Sequence, residues 1–283
     1  MPTTASWSNL RTAGDTRRVN GGIPALVAEI KSRPRESALL CDLDGTLAPI
    51  VDRPSEVAVP ESATEALGAL AGEVGLVAVI TGRPAALARD LVGAEDLIYV
   101  GNHGLETLEP GQPKAEPHPA LRGSESAAAD LVAAHAQRLA RSGVSIEDKG
   151  PIVALHWRTA PDRASAEREA NAVAEQARGA GLEPRAGRLV MEVRPTAEID
   201  KGTAVSGLLE RHAEVRVAVF GGDDLTDLDA FAALEQRREG GDLDAAWRVA
   251  VLSAESPEGL EQAADLSVDG TEGFMGLLDA LDG

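Results

Sequence analysis

Two aspartates separated by one residue, Asp42 and Asp44, follow an apolar run at residues 38–41 and precede Gly45 and Thr46. A short apolar run bounded by turn residues is typical of a buried strand, so we expect Asp42 at the carboxyl end of that strand, beside solvent. Ligands bind at this edge of open α/β sheets. Two carboxylates in one small pocket repel each other unless a cation lies near them, and closely packed oxygen ligands suit Mg²⁺.

The same pair is suited to reaction at phosphorus. A carboxylate such as Asp42 can attack a phosphorus atom and form an aspartyl-phosphate. A second carboxylate, here Asp44, can give a proton to the leaving oxygen and later take one from water. The alternative is a turn that binds no metal and does no chemistry, because Asp-Gly is a common turn pair.

Three further groups of polar residues follow apolar runs. Thr81 offers a hydroxyl and a backbone N–H to a phosphoryl oxygen, although it could equally cap a helix. Lysine is rare in this chain, and Lys201 begins a predicted helix, so its ammonium group could neutralise phosphoryl charge and hold Asp42 ionised. The third group is an acidic loop with Asp223, Asp224 and Asp227. Such a loop is often merely solvated, but it could complete a Mg²⁺ site opposite Asp42.

The elements that must position these residues alternate along the chain. Strands are predicted at 38–41, 75–80, 97–100, 215–220 and 248–252. Helices are predicted between and after them, at 61–71, 84–91, 201–211, 228–234 and 273–281. Continuous apolar strands that alternate with helices are typical of a parallel sheet covered on both faces.

The middle of the chain has a different pattern. A Pro-rich linker at 109–119 leads to an Ala-rich helix predicted at 121–142, and a second long helix is predicted at 161–180. Short strands are predicted at 144–147, 152–157, 182–185 and 189–193. This order indicates an antiparallel sheet with helices on one face, a separate α+β unit.

We therefore predict three parts. A loose polar tail at 1–20 and a helix at 23–30 belong to an N-terminal part at 1–35. The core consists of residues 36–109 and 195–283, and an inserted cap occupies residues 110–194. The fold class is α/β, a parallel-sheet core with an inserted α+β cap.

Composition excludes several function classes. The net charge is −19, which argues against nucleic acid or an anionic membrane as the main partner, and aromatic residues make up only 2%, too few for base stacking. The sequence has no run of about 18 apolar residues, so no membrane span is expected. Cys41 is the only cysteine, so no intrachain disulfide can form, and a reducing cytoplasm is expected.

The motifs DLDGT, ITGR, a helix-leading Lys and GGDD, in this order, resemble those of the haloacid dehalogenase (HAD) phosphatases with a Rossmann-like core and a cap inserted between the second and third motifs. The resemblance implies that Asp42 is the nucleophile, that Asp44 is the general acid/base and gives a backbone carbonyl to the metal, and that Thr81 and Lys201 hold the phosphate. It implies Mg²⁺ as cofactor and Asp223 as a metal ligand. The candidate metal ligands are Asp42, Asp44, Asp223, Asp224 and Asp227.

Within these phosphatases the chain is most similar to the trehalose-6-phosphate phosphatases. The matching stretches are DLDGTLAPI (42–50), TGRP (81–84), GNHGLE (101–106), EDKG followed by LHWR (147–158), RAGRLVMEVRP (185–195), DKG (200–202) and GGDDLTDLDAF (221–231). The resemblance implies that sugar hydroxyls are bound in the cap and that the cleft is lined by GNHG. The implied substrate-binding residues are Asn102, His103, Glu147, Lys149, Arg185 and Glu192.

Alternatives stay open for several of these residues and for the function. Glu147 and Lys149 could form an exposed ion pair, and Arg185 could pair only with the acidic surface. Leu228 stands where these phosphatases commonly have an acidic residue, and Trp157 where Tyr is usual. Other possible functions are a related phosphatase acting on sucrose 6-phosphate or a mannosyl phosphoacid, a phosphotransferase, and a non-catalytic regulatory partner of a sugar synthase. A trehalose-6-phosphate synthase is a possible partner.

Overall fold

The fold is built around one large sheet in the computed structural model, which describes residues 22–51, 56–124 and 126–283. The strands are, in chain order, β1 (Ser37–Cys41), β2 (Leu76–Ile80), β3 (Ile98–Gly101), β4 (Glu106–Leu108), β5 (Glu116–Pro117), β6 (Ser145–Asp148), β7 (Val153–His156), β8 (Leu182–Gly187), β9 (Val190–Pro195), β10 (Val217–Gly222), β11 (Ala245–Leu252) and β12 (Leu266–Asp269). The helices are α1 (Gly22–Ser32), α2 (Glu61–Glu73), α3 (Ala85–Val92), α4 (Ala127–Ala133), α5 (Ala136–Ser142), α6 (Arg163–Gly179), α7 (Lys201–Arg211), α8 (Asp227–Glu239), α9 (Leu260–Ala263) and α10 (Gly270–Asp282). The tail predicted at residues 1–20 lies outside the described residues.

The large sheet has the strand order β12-β11-β10-β1-β2-β3-β4-β5. The strands from β12 to β3 are parallel to one another, and β4 and β5 add an antiparallel edge. All residues of β1, β2 and β10 are buried, as expected for central strands with helices on both faces. The α/β fold class is confirmed.

Helices cover this sheet on two sides because alternate residues of the strands face opposite ways. One apolar cluster joins side chains of the sheet to α1, α2, α3 and α10, and the other joins it to α7, α8 and α9. Within the described residues, no helix combines the length and the apolar character that crossing a bilayer requires.

The order of the central strands determines where the loops meet. β1 pairs with β10 on one side and with β2 on the other, all three in parallel. The residues that follow these three strands therefore lie side by side at one edge of the sheet. This edge carries Asp42, Thr81 and the acidic loop that begins at Asp223.

A second sheet lies within the residues predicted to form the cap. It is antiparallel, with the order β6-β7-β9-β8. Its apolar cluster is formed with α4, α5 and α6 and includes Trp157, whose side chain is buried there.

Besides β4, α9 and β12, which the sequence does not predict, two local features differ from the sequence-based expectation. The helix predicted at 121–142 is two helices, α4 and α5, separated at His135. The His135 N–H donates to Val132 O at 2.9 Å, a tighter turn than an α-helix makes, and His135 Nε2 lies 2.9 Å from Gln176 Oε1 on α6. The second difference is β5, which pairs with β4 of the large sheet although residues 109–119 are predicted to be a linker.

Candidate active site

A cleft of about 460 Å³ opens at the carboxyl ends of β1, β2 and β10. Seven of the residues that line it are predicted site residues: Asp42, Asp44, Thr81, His103, Lys201, Asp223 and Asp224. They come from five separate segments of the chain. The topology of the sheet thus places the predicted phosphate chemistry in one concave site.

Asp42 and Lys201 form a buried ion pair at the base of this cleft. Lys201 Nζ lies 2.9 Å from Asp42 Oδ2 and 2.7 Å from Asp227 Oδ1, and Asp227 has no exposed surface. Lys201 is the first residue of α7, whose start is fixed by a capping box between Asp200 and Thr203. The capping box at the N-terminus of α7 therefore determines where the Lys201 ammonium group stands relative to Asp42.

Burial and charge act in opposite directions on these groups. Burial raises the pKa of Asp42 above its ordinary value, and the neighbouring Lys201 opposes that rise. Burial acts to lower the pKa of Lys201, but the charges of Asp42 and Asp227 and their hydrogen bonds raise it above its ordinary value. Lys201 therefore carries a positive charge at neutral pH, and this charge favours the ionised form of Asp42.

Asp227 holds the acidic loop in place. Its Oδ2 accepts hydrogen bonds from the backbone N–H groups of Asp223 and Asp224, each at 2.9 Å, while its Oδ1 accepts from Lys201. Both oxygens of Asp227 thus already have donors. Asp224, by contrast, is exposed, and its Oδ1 accepts from the Leu225 N–H at 2.6 Å.

The residues at the base of the cleft fit a divalent cation. Asp42, Asp223 and Asp227 are buried and place carboxylate oxygens within 4.8 Å of one another. Burial and the charge of Asp227 raise the pKa of Asp223 to about 7, so a cation beside it would favour its ionised form. Gly45 provides the space, because a Cβ at this position would lie 1.9 Å from Asp223 Oδ2.

Replacing Gly45 by Ala should abolish most of the stabilisation by Mg²⁺. The backbone of Gly45 has a φ of +77°, which disfavours any L side chain, and the added methyl group would displace the Asp223 carboxylate. We expect wild-type protein to gain melting temperature on titration with MgCl₂ and Gly45→Ala to gain little. Thermal unfolding with and without EDTA measures this.

Gly68→Ala is the matched control. Gly68 lies exposed in α2, and a Cβ there meets no atom within 4 Å. This variant should respond to Mg²⁺ as the wild type does. An equal response of Gly45→Ala would contradict a cation site beside Asp223.

Arg83 lines the site, although no role is predicted for it from the sequence. Its Nε and Nη2 donate to Asp44 Oδ2 and Oδ1 at 2.6 Å and 2.7 Å, a bidentate ion pair across the cleft. The hydrogen bond to Asp44 raises the pKa of Arg83, and the charges of Asp42 and Glu147 add to this. The pair orients the Asp44 carboxylate within the cleft.

Thr81 offers less to a phosphoryl oxygen than the sequence predicts. Its backbone N–H donates to Val100 O at 2.9 Å and so extends the sheet. Its Oγ1 accepts from the Arg83 N–H at 3.2 Å, which leaves the hydroxyl hydrogen to donate into the cleft. The expected backbone donor is therefore occupied, and α3 begins after Pro84 with no side-chain cap.

His103 lines the cleft beside Gly82. Its Nε2 is the atom that a Cβ on Gly82 would meet, at 2.6 Å. Burial lowers the pKa of His103 to about 4, and the positive charges of Lys201 and Arg194 lower it as well. Its buried Nδ1 has no hydrogen-bond partner among the described residues. His103 is thus neutral at pH 7.

The model of the trehalose-phosphatase family matches residues 40–264 of the chain, and this range includes all of the site residues described above. The chain belongs to the trehalose-phosphatase family. The family predicted from the motifs is thereby confirmed, and it is a family of phosphatases.

Individual relatives agree with this assignment. The chain is 36% identical over 203 residues to a probable trehalose-phosphate phosphatase of Sinorhizobium fredii, covering 70% of this chain and 74% of that protein. It is 35% identical over 210 residues to a trehalose-phosphate phosphatase of Mycobacterium avium, covering 71% and 52%. An uncharacterized glycosyl hydrolase of Mycobacterium tuberculosis is 39% identical over 209 residues, but the chain spans only 15% of that protein.

Solved structures share the fold. The C-terminal domain of a trehalose-6-phosphate phosphatase from C. albicans superposes with a TM-score of 0.68 at 23% identity, covering 92% of this chain and 96% of that one. The C-terminal domain of a Candida albicans trehalose synthase regulatory protein superposes with a TM-score of 0.62 at 15% identity, covering 93% and 98%.

Three charged residues that the trehalose-phosphatase resemblance assigns to the sugar, Glu147, Lys149 and Glu192, form ion pairs on or beside the cap sheet. Lys149 Nζ is 3.0 Å from Glu192 Oε1, and Glu147 Oε2 is 2.8 Å from His156 Nε2. Glu147 and Lys149 therefore do not pair with each other as the alternative interpretation supposes. Arg185 is exposed and pairs with Glu183 at 3.1 Å.

These cap residues are not among those that line the catalytic cleft. In the described part of the chain, the cap residue tied most directly to the site is Lys149, whose backbone O accepts from Asn102 Nδ2 at 2.7 Å. The side chain of Leu228 packs against the apolar cluster that joins α7, α8 and α9 to the sheet. The roles of the individual site residues stay predictions.

Proposed function

We propose that this protein hydrolyses trehalose 6-phosphate to trehalose and phosphate, with Mg²⁺ as cofactor and an aspartyl-phosphate as intermediate. The observation that carries the proposal is the contact of 2.9 Å between the buried Lys201 ammonium group and Asp42, in a cleft of a trehalose-phosphatase family member. The chain spans between 15% and 74% of the length of three curated relatives that it matches, so the activity of those whole proteins comes to this chain only as a proposal.

In the first step, Asp42 attacks the phosphorus atom in line with the leaving sugar oxygen. A bond forms between a carboxylate oxygen of Asp42 and phosphorus, and the bond from phosphorus to the sugar oxygen breaks. Lys201 favours the ionised form of Asp42, and its ammonium group and the hydroxyl of Thr81 hold phosphoryl oxygens. A bound Mg²⁺, held by Asp42 and Asp223, would supply positive charge that screens the repulsion between carboxylate and phosphoryl group.

Asp44 moves the protons of both steps. It gives a proton to the departing sugar oxygen, and it later takes one from the water that cleaves the aspartyl-phosphate. Both carboxylate oxygens of Asp44 accept from Arg83, so Asp44 must leave Arg83 before it can reach the sugar oxygen.

The cap supplies the recognition of the sugar. Glu192, Lys149 and Glu147 are charged groups that can pair with glucosyl hydroxyls, and leaving such groups unpaired is costly for a wrong substrate. These residues already stand beside the cleft, because the Lys149 backbone O accepts from Asn102 and the charge of Glu147 acts on Arg83. A cap in this position over the sugar would also exclude water from the phosphoryl group.

A regulatory role is the second candidate, because a regulatory protein from Candida albicans has the same fold. Fold alone does not separate the two functions. The buried Asp42–Lys201 pair, together with Asp44, Thr81 and Asp223, supports catalysis, since a silent module has no need of them. The cytoplasmic location and a trehalose-6-phosphate synthase as partner stay predictions.

Phosphate release from trehalose 6-phosphate tests the proposal. We expect a strong preference for this substrate over sucrose 6-phosphate and glucose 6-phosphate, and loss of activity in EDTA. Activity on another sugar phosphate alone would keep the chemistry of the core and reject the substrate. Absence of activity on all three, in the presence of Mg²⁺, would favour the regulatory role.

A further inference from the structure

The turn after β3 is held against the predicted phosphate-binding loop. Asn102 and His103 both have left-handed backbones, with φ of 51° and 58°, and Asn102 has no exposed surface. The Asn102 N–H donates to Arg83 O and the His103 N–H donates to Thr81 O, both at 2.9 Å. Two consecutive non-glycine residues in this region are strained, so the surroundings must hold them there.

The side chain of Asn102 connects the core to the cap. Its Nδ2 donates to Lys149 O at 2.7 Å and to Glu106 Oε1 at 3.0 Å. A side-chain amide has two hydrogens, and these two bonds use both. Asn102 therefore has no N–H left for a sugar hydroxyl, although the family resemblance assigns it to the substrate.

Glu106 anchors this connection on the core. Its Oε1 also accepts from the Ala85 N–H, the first residue of α3, at 2.8 Å. There is no space for a side chain between them, since a Cβ on Gly101 would lie 2.3 Å from Ala85 N and 2.7 Å from Glu106 Oε1. One carboxylate oxygen thus joins the start of α3 to the amide that holds Lys149.

We propose that Asn102 and Glu106 are positioning residues that fix Lys149 of the cap relative to the phosphate-binding loop at Thr81. Lys149 Nζ lies 3.0 Å from Glu192 Oε1, so the position of Lys149 also determines that of Glu192. The connection therefore sets the distance between the residues that bind the phosphate and those that bind the sugar. A disaccharide phosphate must bind the loop at Thr81 and the sugar-binding residues of the cap at the same time, whereas a small phosphate ester contacts only the core. The connection therefore selects for long substrates, an inference that rests on the proposed function.

The ratio of kcat/KM on trehalose 6-phosphate to kcat/KM on p-nitrophenyl phosphate measures this selection. Asn102→Gly removes both donors, and glycine adopts the φ of 51° without strain. We expect this ratio to fall about tenfold or more, as for the loss of a buried hydrogen bond that leaves an acceptor unpaired. Gly68→Ala, at an exposed position of α2 where a Cβ meets no atom within 4 Å, is the control and should leave the ratio unchanged.

A double-mutant cycle separates positioning from direct contact. If Asn102 acts through Lys149, then Asn102→Gly should lower the ratio little further in a Lys149→Met background. Additive losses would overturn the proposal, because they indicate that Asn102 contacts the substrate independently. If Asn102→Gly does not fold, Asn102→Asp keeps the size and the left-handed backbone but lacks the two donors, and the same cycle applies.

Hydrogen exchange distinguishes failure of this inference from failure of the proposed function. The Lys149 N–H donates to Ile152 O at 2.9 Å, and its exchange reports the order of this turn without any substrate. Faster exchange in Asn102→Gly, with wild-type exchange in Gly68→Ala, supports the connection even if the wild type shows no preference for trehalose 6-phosphate. Unchanged exchange in Asn102→Gly overturns it.

Discussion

Asp42→Asn should lose turnover of trehalose 6-phosphate by about 10⁴-fold or more, because an amide cannot attack phosphorus as a carboxylate does. The variant should stay folded. Asparagine has the same shape, and Lys201 retains its second partner, Asp227, at 2.7 Å. Phosphate release under saturating Mg²⁺ and the thermal unfolding curve are the two measurements.

Asp90→Asn is the control for this substitution, since Asp90 is exposed on α3 and lies outside the cleft. It should keep wild-type turnover. A phosphoprotein that hydroxylamine cleaves should form from the wild type and not from Asp42→Asn, as expected for an acyl phosphate on this residue. Turnover retained in Asp42→Asn would rule out Asp42 as the nucleophile.

The meeting of Asp42, Thr81 and Asp223 could be predicted because it follows from topology. Each residue ends an apolar run long enough for a buried strand, and parallel strands that alternate with helices must place these ends at one edge. The position of Lys201 could be predicted for a similar reason, since its helix begins directly after the inserted unit. Periodicity and sequence order contain this information.

The partners of the individual carboxylates could not be predicted. Arg83 and Asp44 are far apart in the chain, and nothing in either motif says that the guanidinium group turns toward Asp44 rather than toward solvent. Likewise, Asp223, Asp224 and Asp227 look alike as residues of an acidic loop. Only the geometry at the start of α8 directs Asp227 inward to two backbone N–H groups and leaves Asp224 exposed.

Short elements also escape prediction from the sequence. β5 has two residues, Glu116 and Pro117, and no alternation of apolar and polar residues can be read from two positions. The break between α4 and α5 contains neither Gly nor Pro, so helix propensity gives no reason to end a helix at His135. Both features depend on contacts with distant segments, β4 in one case and Gln176 of α6 in the other.

Lys201 is the residue on which the stability of the site and its chemistry both depend. It is almost fully buried, at 2% exposure, between Asp42 at 5% and Asp227 at 0%. Removing one partner of a buried ion pair is far more costly than removing an exposed one, because the remaining charge has neither water nor a counter-ion. Here the loss of one ammonium group would leave two buried carboxylates beside a third, Asp223.

Lys201→Met should therefore lower the free energy of unfolding at neutral pH by about 3–5 kcal/mol and should abolish turnover. The loss of stability should shrink as the pH falls, because burial raises the pKa of Asp42 and protonation removes the unpaired charge. Adding Asp227→Asn to Lys201→Met should restore part of the stability without restoring turnover.

Lys114→Met, at an exposed lysine, is the control and should change neither quantity. Urea unfolding at two pH values and phosphate release decide the matter: a stable, active Lys201→Met protein would show that the buried ion pair determines neither the fold of the site nor its reaction.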